Sequence, residues 1–111
     1  MVVVVRAHGA VDVVELPARL DAAAAPELRG TIADLLARQR TRLVLDLGRV
    51  TFCDSSGVSV LLTALKGARD AGGAVALLRL TPAASRVIQL TRIHQAFPIF
   101  DDEDAAVAAL S

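Results

Sequence analysis

Tryptophan and tyrosine are absent from this chain of 111 residues, and three phenylalanines are its sole aromatics. So few rings exclude the stacking platforms on which single-strand nucleic-acid binders rely. With one cysteine, no disulfide can form within the chain, and with only two histidines beside it a structural zinc site has too few of its usual ligands. A lone thiol is also what a reducing compartment tolerates. Neither sign of charge is in excess, since twelve basic residues face twelve acidic ones. A nucleic-acid binder would carry a basic stripe and a polybasic membrane anchor a basic cluster, and neither is present. Long apolar runs are missing too. The run from Met1 meets its first charge at Arg6, short of a signal peptide and of the about 20 residues of a membrane helix. The expectation is a cytoplasmic protein with no membrane insertion.

What is present is alanine, valine and leucine. The hydrophobic class makes up 54% of the chain, which excludes disorder and suffices for one two-layer domain over residues 1–111. Val2 to Val5 and Val11 to Leu16 read as two strands joined by a hairpin turn near His8 to Ala10. Asp21 precedes an alanine run, and Pro26 falls in a first helical turn. Leu28, Ile32, Leu35 and Leu36 then recur on one helical face, to about Arg40. Leu43 to Leu47 is apolar except at Asp46, as expected of a central strand covered on both faces. A second helix, with Val58, Leu61, Leu62, Leu65 and Ala68 on one side, stops at Gly72-Gly73. Ala74 to Leu80 is a further strand. Thr81-Pro82 opens a third helix that buries Val87, Ile88 and Leu90, and Pro98 to Phe100 reads as an edge strand. Asp101 to Asp104 start a terminal helix, where anions suit the dipole. The fold class is α/β, a single domain with a mixed sheet of four to five strands and about four helices.

The informative junction is Cys53-Asp54-Ser55-Ser56-Gly57, where a buried strand leads into a helix N-terminus. Sites in open α/β sheets lie beyond the carboxyl ends of strands. Helix N-termini present free N–H groups that favour an anion. A serine here can be modified or contact an anion; equally, Ser55 or Ser56 can simply cap the helix, the reading that spacing alone favours.

The stretch from Leu43 to Leu62, L-V-L-D-L-G-R-V-T-F-C-D-S-S-G-V-S-V-L-L, resembles the signature of the STAS family. Leu20-Asp21 before the first helix, the Gly72-Gly73 stop and Phe97 to Asp101 are similar as well. The resemblance spans nearly the whole chain. It implies an anti-sigma-factor antagonist whose partner is an anti-sigma factor with serine kinase activity, with a phosphatase as a further partner. By that resemblance the phosphoacceptor is Ser55, Ser56 caps the helix, and Asp21, Asp54, Ser55, Ser56 and Gly57 form the partner surface. Ala18 replaces a glycine of the family's G-x-L-D pattern, and Arg92 stands where a glycine often follows the third helix. Other members imply other uses: an accessory subunit of a lipid-transport ABC system, or a stress-signalling scaffold. A nucleotide- or anion-binding module would use the same helix end.

An enzyme is not expected. G-x-S-x-G is missing, because Cys53 lies two residues before Ser55 and Asp54 two before Ser56. His8 and His94 stand outside any motif, His8 reading as a turn residue, and Cys53 reads as a small buried hydrophobe. No G-K-[ST] phosphate loop exists. Neither a cofactor nor a metal is called for.

Overall fold

The computed structural model describes residues 3–111, so the strand start expected at Val2 lies outside the described residues. The elements run β1 (Val4–His8), β2 (Val11–Glu15), β3 (Arg19–Leu20), α1 (Ala25–Ala37), β4 (Arg42–Asp46), β5 (Phe52–Cys53) and α2 (Ser55–Asp70). There follow β6 (Ala74–Leu78), α3 (Pro82–Leu90), a 3-10 turn at Ile93–Gln95, β7 (Ile99–Phe100) and α4 (Glu103–Leu110). β1 and β2 form the antiparallel hairpin, turning at Gly9 with φ +66°. His8 is the last residue of β1, paired with Val11, rather than part of the turn. The remaining pairs of the five-stranded sheet, ordered β1-β2-β4-β6-β7, are parallel.

β4 is the central strand, and its composition follows from that place. Leu43 and Leu45 face the core under α1 and α2, while Val44 faces a second core with Val11, Val13, Ala76 and Leu78 under α4. Both faces being covered, the strand has little polar alternation to show. Asp46, at its end, is buried but fully engaged. Its Oδ1 accepts the Gly48 N–H at 2.9 Å and its Oδ2 accepts from Arg79 Nη1 at 2.9 Å. This is the structural role expected of a carboxylate inside a strand.

Several details depart from the sequence reading. α1 ends at Ala37, not Arg40, because Gln39 takes a left-handed φ of +67° that turns the chain toward β4. Leu62 and Leu90 are exposed, at 41% and 78%. Leu62 lies about 100° round the helix from Leu61, and Val60 and Ala64 take the inward positions instead. Leu90 is the last residue of α3, past its buried Ala84 and Ile88. Arg92 adopts φ +59° and ψ +17°, the conformation a glycine would take at little cost. Finally, β3 and β5 pair in parallel as a separate two-residue clip, Arg19 with Phe52 and Leu20 with Cys53.

Candidate functional site

Asp54 leaves β5 in an extended conformation, φ −120° and ψ −172°, and caps α2. Its Oδ1 accepts the N–H groups of Ser56 at 2.9 Å and Gly57 at 3.2 Å. Neither serine is the cap, which corrects the assignment of that role to Ser56. A cap must combine non-helical backbone with an oxygen that reaches the second and third helical amides. Ser55 is already the first helical residue, and it is exposed, with Ser56 half-buried beside it. Replacing Asp54 by alanine should cost about 1 kcal/mol of stability, and Asp54→Asn should restore most of it. Urea midpoints check this; an unchanged midpoint in Asp54→Ala would remove the capping role.

The β3–β5 clip brings the remaining predicted residues to the same mouth. Leu20 pairs with Cys53 in register, so Asp21 and Asp54 each stand one residue beyond the pair. The Leu20 carbonyl also accepts the Asp54 N–H at 3.3 Å. Asp21 does not cap α1, whose N-cap is Ala24 without a side-chain bond. It holds the turn before it: Oδ1 accepts the Ala24 N–H at 3.1 Å, and Oδ2 pairs with Arg19 Nε at 3.2 Å. The Ala24 N–H first, and Arg19 after it, hold the Asp21 carboxyl below the usual carboxylate range. Gly57 is buried against this clip. A Cβ there would lie 2.3 Å from the Leu20 oxygen and 3.1 Å from Cys53 Sγ.

One feature of the rim escaped the sequence reading. Arg19 lies over the Phe52 ring, 4.4 Å from its centroid, and the ring is 39% exposed. The signal was a phenylalanine two residues before Asp54 in a chain with only three, but its stacking partner is 33 residues away. A shallow cleft of about 410 Å³, lined by Pro17, Arg19, Asp21, Ala23 and Ala24, adjoins it.

What the arrangement presents to solvent at the start of α2 is the Ser55 hydroxyl. Two of the free amides of α2 are already taken by the Asp54 carboxylate, which therefore fills the seat an external anion would use. Cys53 is 8% exposed, and burial, then Asp54, pushes its thiol up, away from a reactive thiolate. His94 is exposed on the 3-10 turn, and the His8 ring is turned to Glu103 on α4. Among the described residues no group of three or more His, Cys, Asp or Glu side chains is placed to hold a metal ion. Nor is any helix among them long and apolar enough to cross a membrane.

A mixed five-stranded sheet, three helices on one face and one on the other, and an exposed serine opening α2 beside an acidic cap define a small α/β domain of the kind built round a strand-to-helix mouth. A family model described as "Mlab, STAS domain" matches residues 3–100, and the chain belongs to the STAS domain family. Among curated proteins it is 31% identical over 90 residues to BtrV of Bordetella bronchiseptica, named as a candidate anti-sigma factor antagonist, covering 81% of this chain and 78% of that one. It is 29% identical over 104 residues to the anti-sigma F factor antagonist of Paenibacillus polymyxa, covering 93% and 89%. Among solved structures, an anti-sigma factor antagonist from Mycobacterium paratuberculosis superposes with a TM-score of 0.85 at 27% identity, covering 98% and 92%. The phosphorylated form of the Bacillus cell-fate determinant SpoIIAA superposes at 0.78 and 22% identity, covering 97% and 98%, a likeness of fold.

Proposed function

We propose that this chain is an anti-sigma factor antagonist switched by phosphorylation at Ser55. Unmodified, it docks through the mouth of α2 onto an anti-sigma factor that is itself a serine kinase, and so frees a sigma factor for transcription. Phosphorylated, it is released, and a phosphatase resets it. Asp21, Asp54, Ser55, Ser56 and Gly57 form the docking surface, and the chain is substrate rather than catalyst, acting in the cytoplasm. The observation that carries this reading is the exposed Ser55 hydroxyl at the first residue of α2, in a chain whose relatives are named as anti-sigma factor antagonists.

The switch has a plain physical basis. Phosphate adds about −1.5 to −2 charges, next to Asp54 and on the side of the molecule where Asp21 lies. An interface packed on that loop would have to desolvate the added charge and bulk. A penalty of about 1.4 kcal/mol is a tenfold change in affinity, so a small fraction of the charge's desolvation cost is enough. A nucleotide- or anion-binding module is the weaker reading, because the Asp54 carboxylate occupies the amides such a ligand would need. An accessory subunit of a lipid-transport ABC system, or a scaffold, would dock without needing the hydroxyl.

Incubation with the cognate anti-sigma kinase and ATP should add one phosphate to the wild type and none to Ser55→Ala, read by intact mass. Labelling that persists in Ser55→Ala and vanishes in Ser56→Ala would move the acceptor to the neighbour. No labelling of either serine would leave a docking module.

A further inference from the structure

A phosphate on Ser55 would find two of the amides that usually receive an anion at a helix N-terminus already taken. The Ser56 and Gly57 amides point at Asp54, whose carboxylate would also repel the new group. Arg19, on the neighbouring clip, is held by Asp21 at 3.2 Å and by the Phe52 ring. Arg29 is different. It is exposed on the first turns of α1 and belongs to none of the ion pairs found among the described residues. Its guanidinium reaches across to α2, with Nη2 3.5 Å from Ser59 Oγ. Ser59 is exposed and lies four residues beyond Ser55, so the two hydroxyls share one helix face, about 5–6 Å apart at their Cβ atoms.

Resting on the reading of Ser55 as the modified residue, we propose that Arg29 receives the Ser55 phosphate within the same chain, swinging one helical turn from Ser59 toward the mouth of α2. The side chain is suited to the movement. Arg29 borders the small apolar groove between α1 and α2, lined also by Ile32, Leu36 and Val60, against which an arginine stem can lie while its head moves through water. The planar guanidinium donates two parallel N–H bonds to phosphate oxygens, which a lone ammonium does not. The pairing gives the modified form a structure of its own: α1 and α2 are bridged across their exposed edge, and part of the added charge is neutralised before any partner is met. The charged groups carried by the elements packed around this mouth are Asp54 on its own loop, Asp21 and Arg19 on the clip, Glu27 with Arg29 on α1, and Arg86 on α3, which packs on β5.

The test uses the full chain with phosphoserine installed at position 55 by genetic encoding, and follows the phosphate by ³¹P NMR against pH. The readout is the second ionisation of the phosphate, ordinarily near 6, in the wild type against each variant. Arg29→Gln should raise the proton affinity of the phosphate by roughly threefold, as for an exposed ion pair. Arg29→Lys should restore it in part, and Arg19→Gln should leave it in place. Circular dichroism should be the same for all four. Identical titrations for wild type and Arg29→Gln, or a shift produced by Arg19→Gln instead, would overturn the assignment. Because the phosphate is installed rather than transferred, this failure would be distinct from failure of the kinase reading, which the mass measurement on Ser55→Ala detects.

Discussion

Gly57→Ala is expected to unfold this protein at a markedly lower temperature, although alanine is the better helix former. Gly57 is the third residue of α2, and its φ is not left-handed, so propensity alone would favour alanine by about 1 kcal/mol. Space decides the opposite sign. The added Cβ would sit 2.3 Å from the Leu20 carbonyl oxygen and 2.7 Å from Leu20 Cγ, and a backbone oxygen in a paired strand cannot step aside as a side-chain tip can. The oxygen is also the acceptor of the Asp54 N–H, so displacing it loosens the cap as well. A net cost of about 3 kcal/mol, at the upper end for overpacking, corresponds to a fall in Tm of more than about 10 °C for a domain of this size. Gly30→Ala in α1 is the matched comparison. Nothing lies within 4 Å of its Cβ position, so it should gain about 1 kcal/mol. Equal stability of Gly57→Ala and wild type in a thermal melt would show that α2 can pull back from the clip.

The second large effect is expected at the opposite face. α4 has eight residues, too few to hold a helix by itself, and it is fastened to the edge strand β1 by Glu103. Both Glu103 oxygens accept from Arg6, each at 2.5 Å, and Oε2 lies 2.9 Å from His8 Nδ1. Arg6, then His8, holds the Glu103 carboxyl well below its usual 4.5, at about 2. A folded-state value below the unfolded one means stability that is present above about pH 4.5 and lost as pH falls toward 2. Arg6 is 40% exposed, so solvent screening reduces the pair to about 1–2 kcal/mol rather than the full linkage value. Glu103→Gln should therefore lower stability by that amount at pH 7. In urea titrations the gap to wild type should narrow below pH 4.5 and close near pH 2. A gap that stays constant from pH 7 to pH 3 would assign the loss to shape rather than to charge.

How much of this was legible beforehand varies with the range of the interaction. The hairpin, the three strand–helix units, the Thr81 helix start and the acidic start of the last helix rest on period, turn residues, capping and dipole chemistry, all local, and they stand in the structure. The β3–β5 clip was not legible. Two residues carry no alternation, and the pairing joins segments 33 positions apart in register. Asp54 and its two serines illustrate a different limit. Both residue types cap helices well, so spacing could not choose among the three positions; a single extended ψ at Asp54 did. Leu62 and Leu90 read as core because leucine at a helical offset normally is, yet Leu62 lies just off the buried face of α2 and Leu90 at the exposed end of α3.

Composition and order alone settled that this is a mixed α/β domain with a serine-bearing junction between its central strand and second helix, since burial on both faces of β4 imposes a continuous apolar run that any reader can see. Tertiary structure decided which oxygen caps that helix, which hydroxyl faces water, and that Asp21 shares the mouth with Asp54. Those outcomes depend on backbone angles and on contacts between distant segments, and neither leaves a trace in residue spacing.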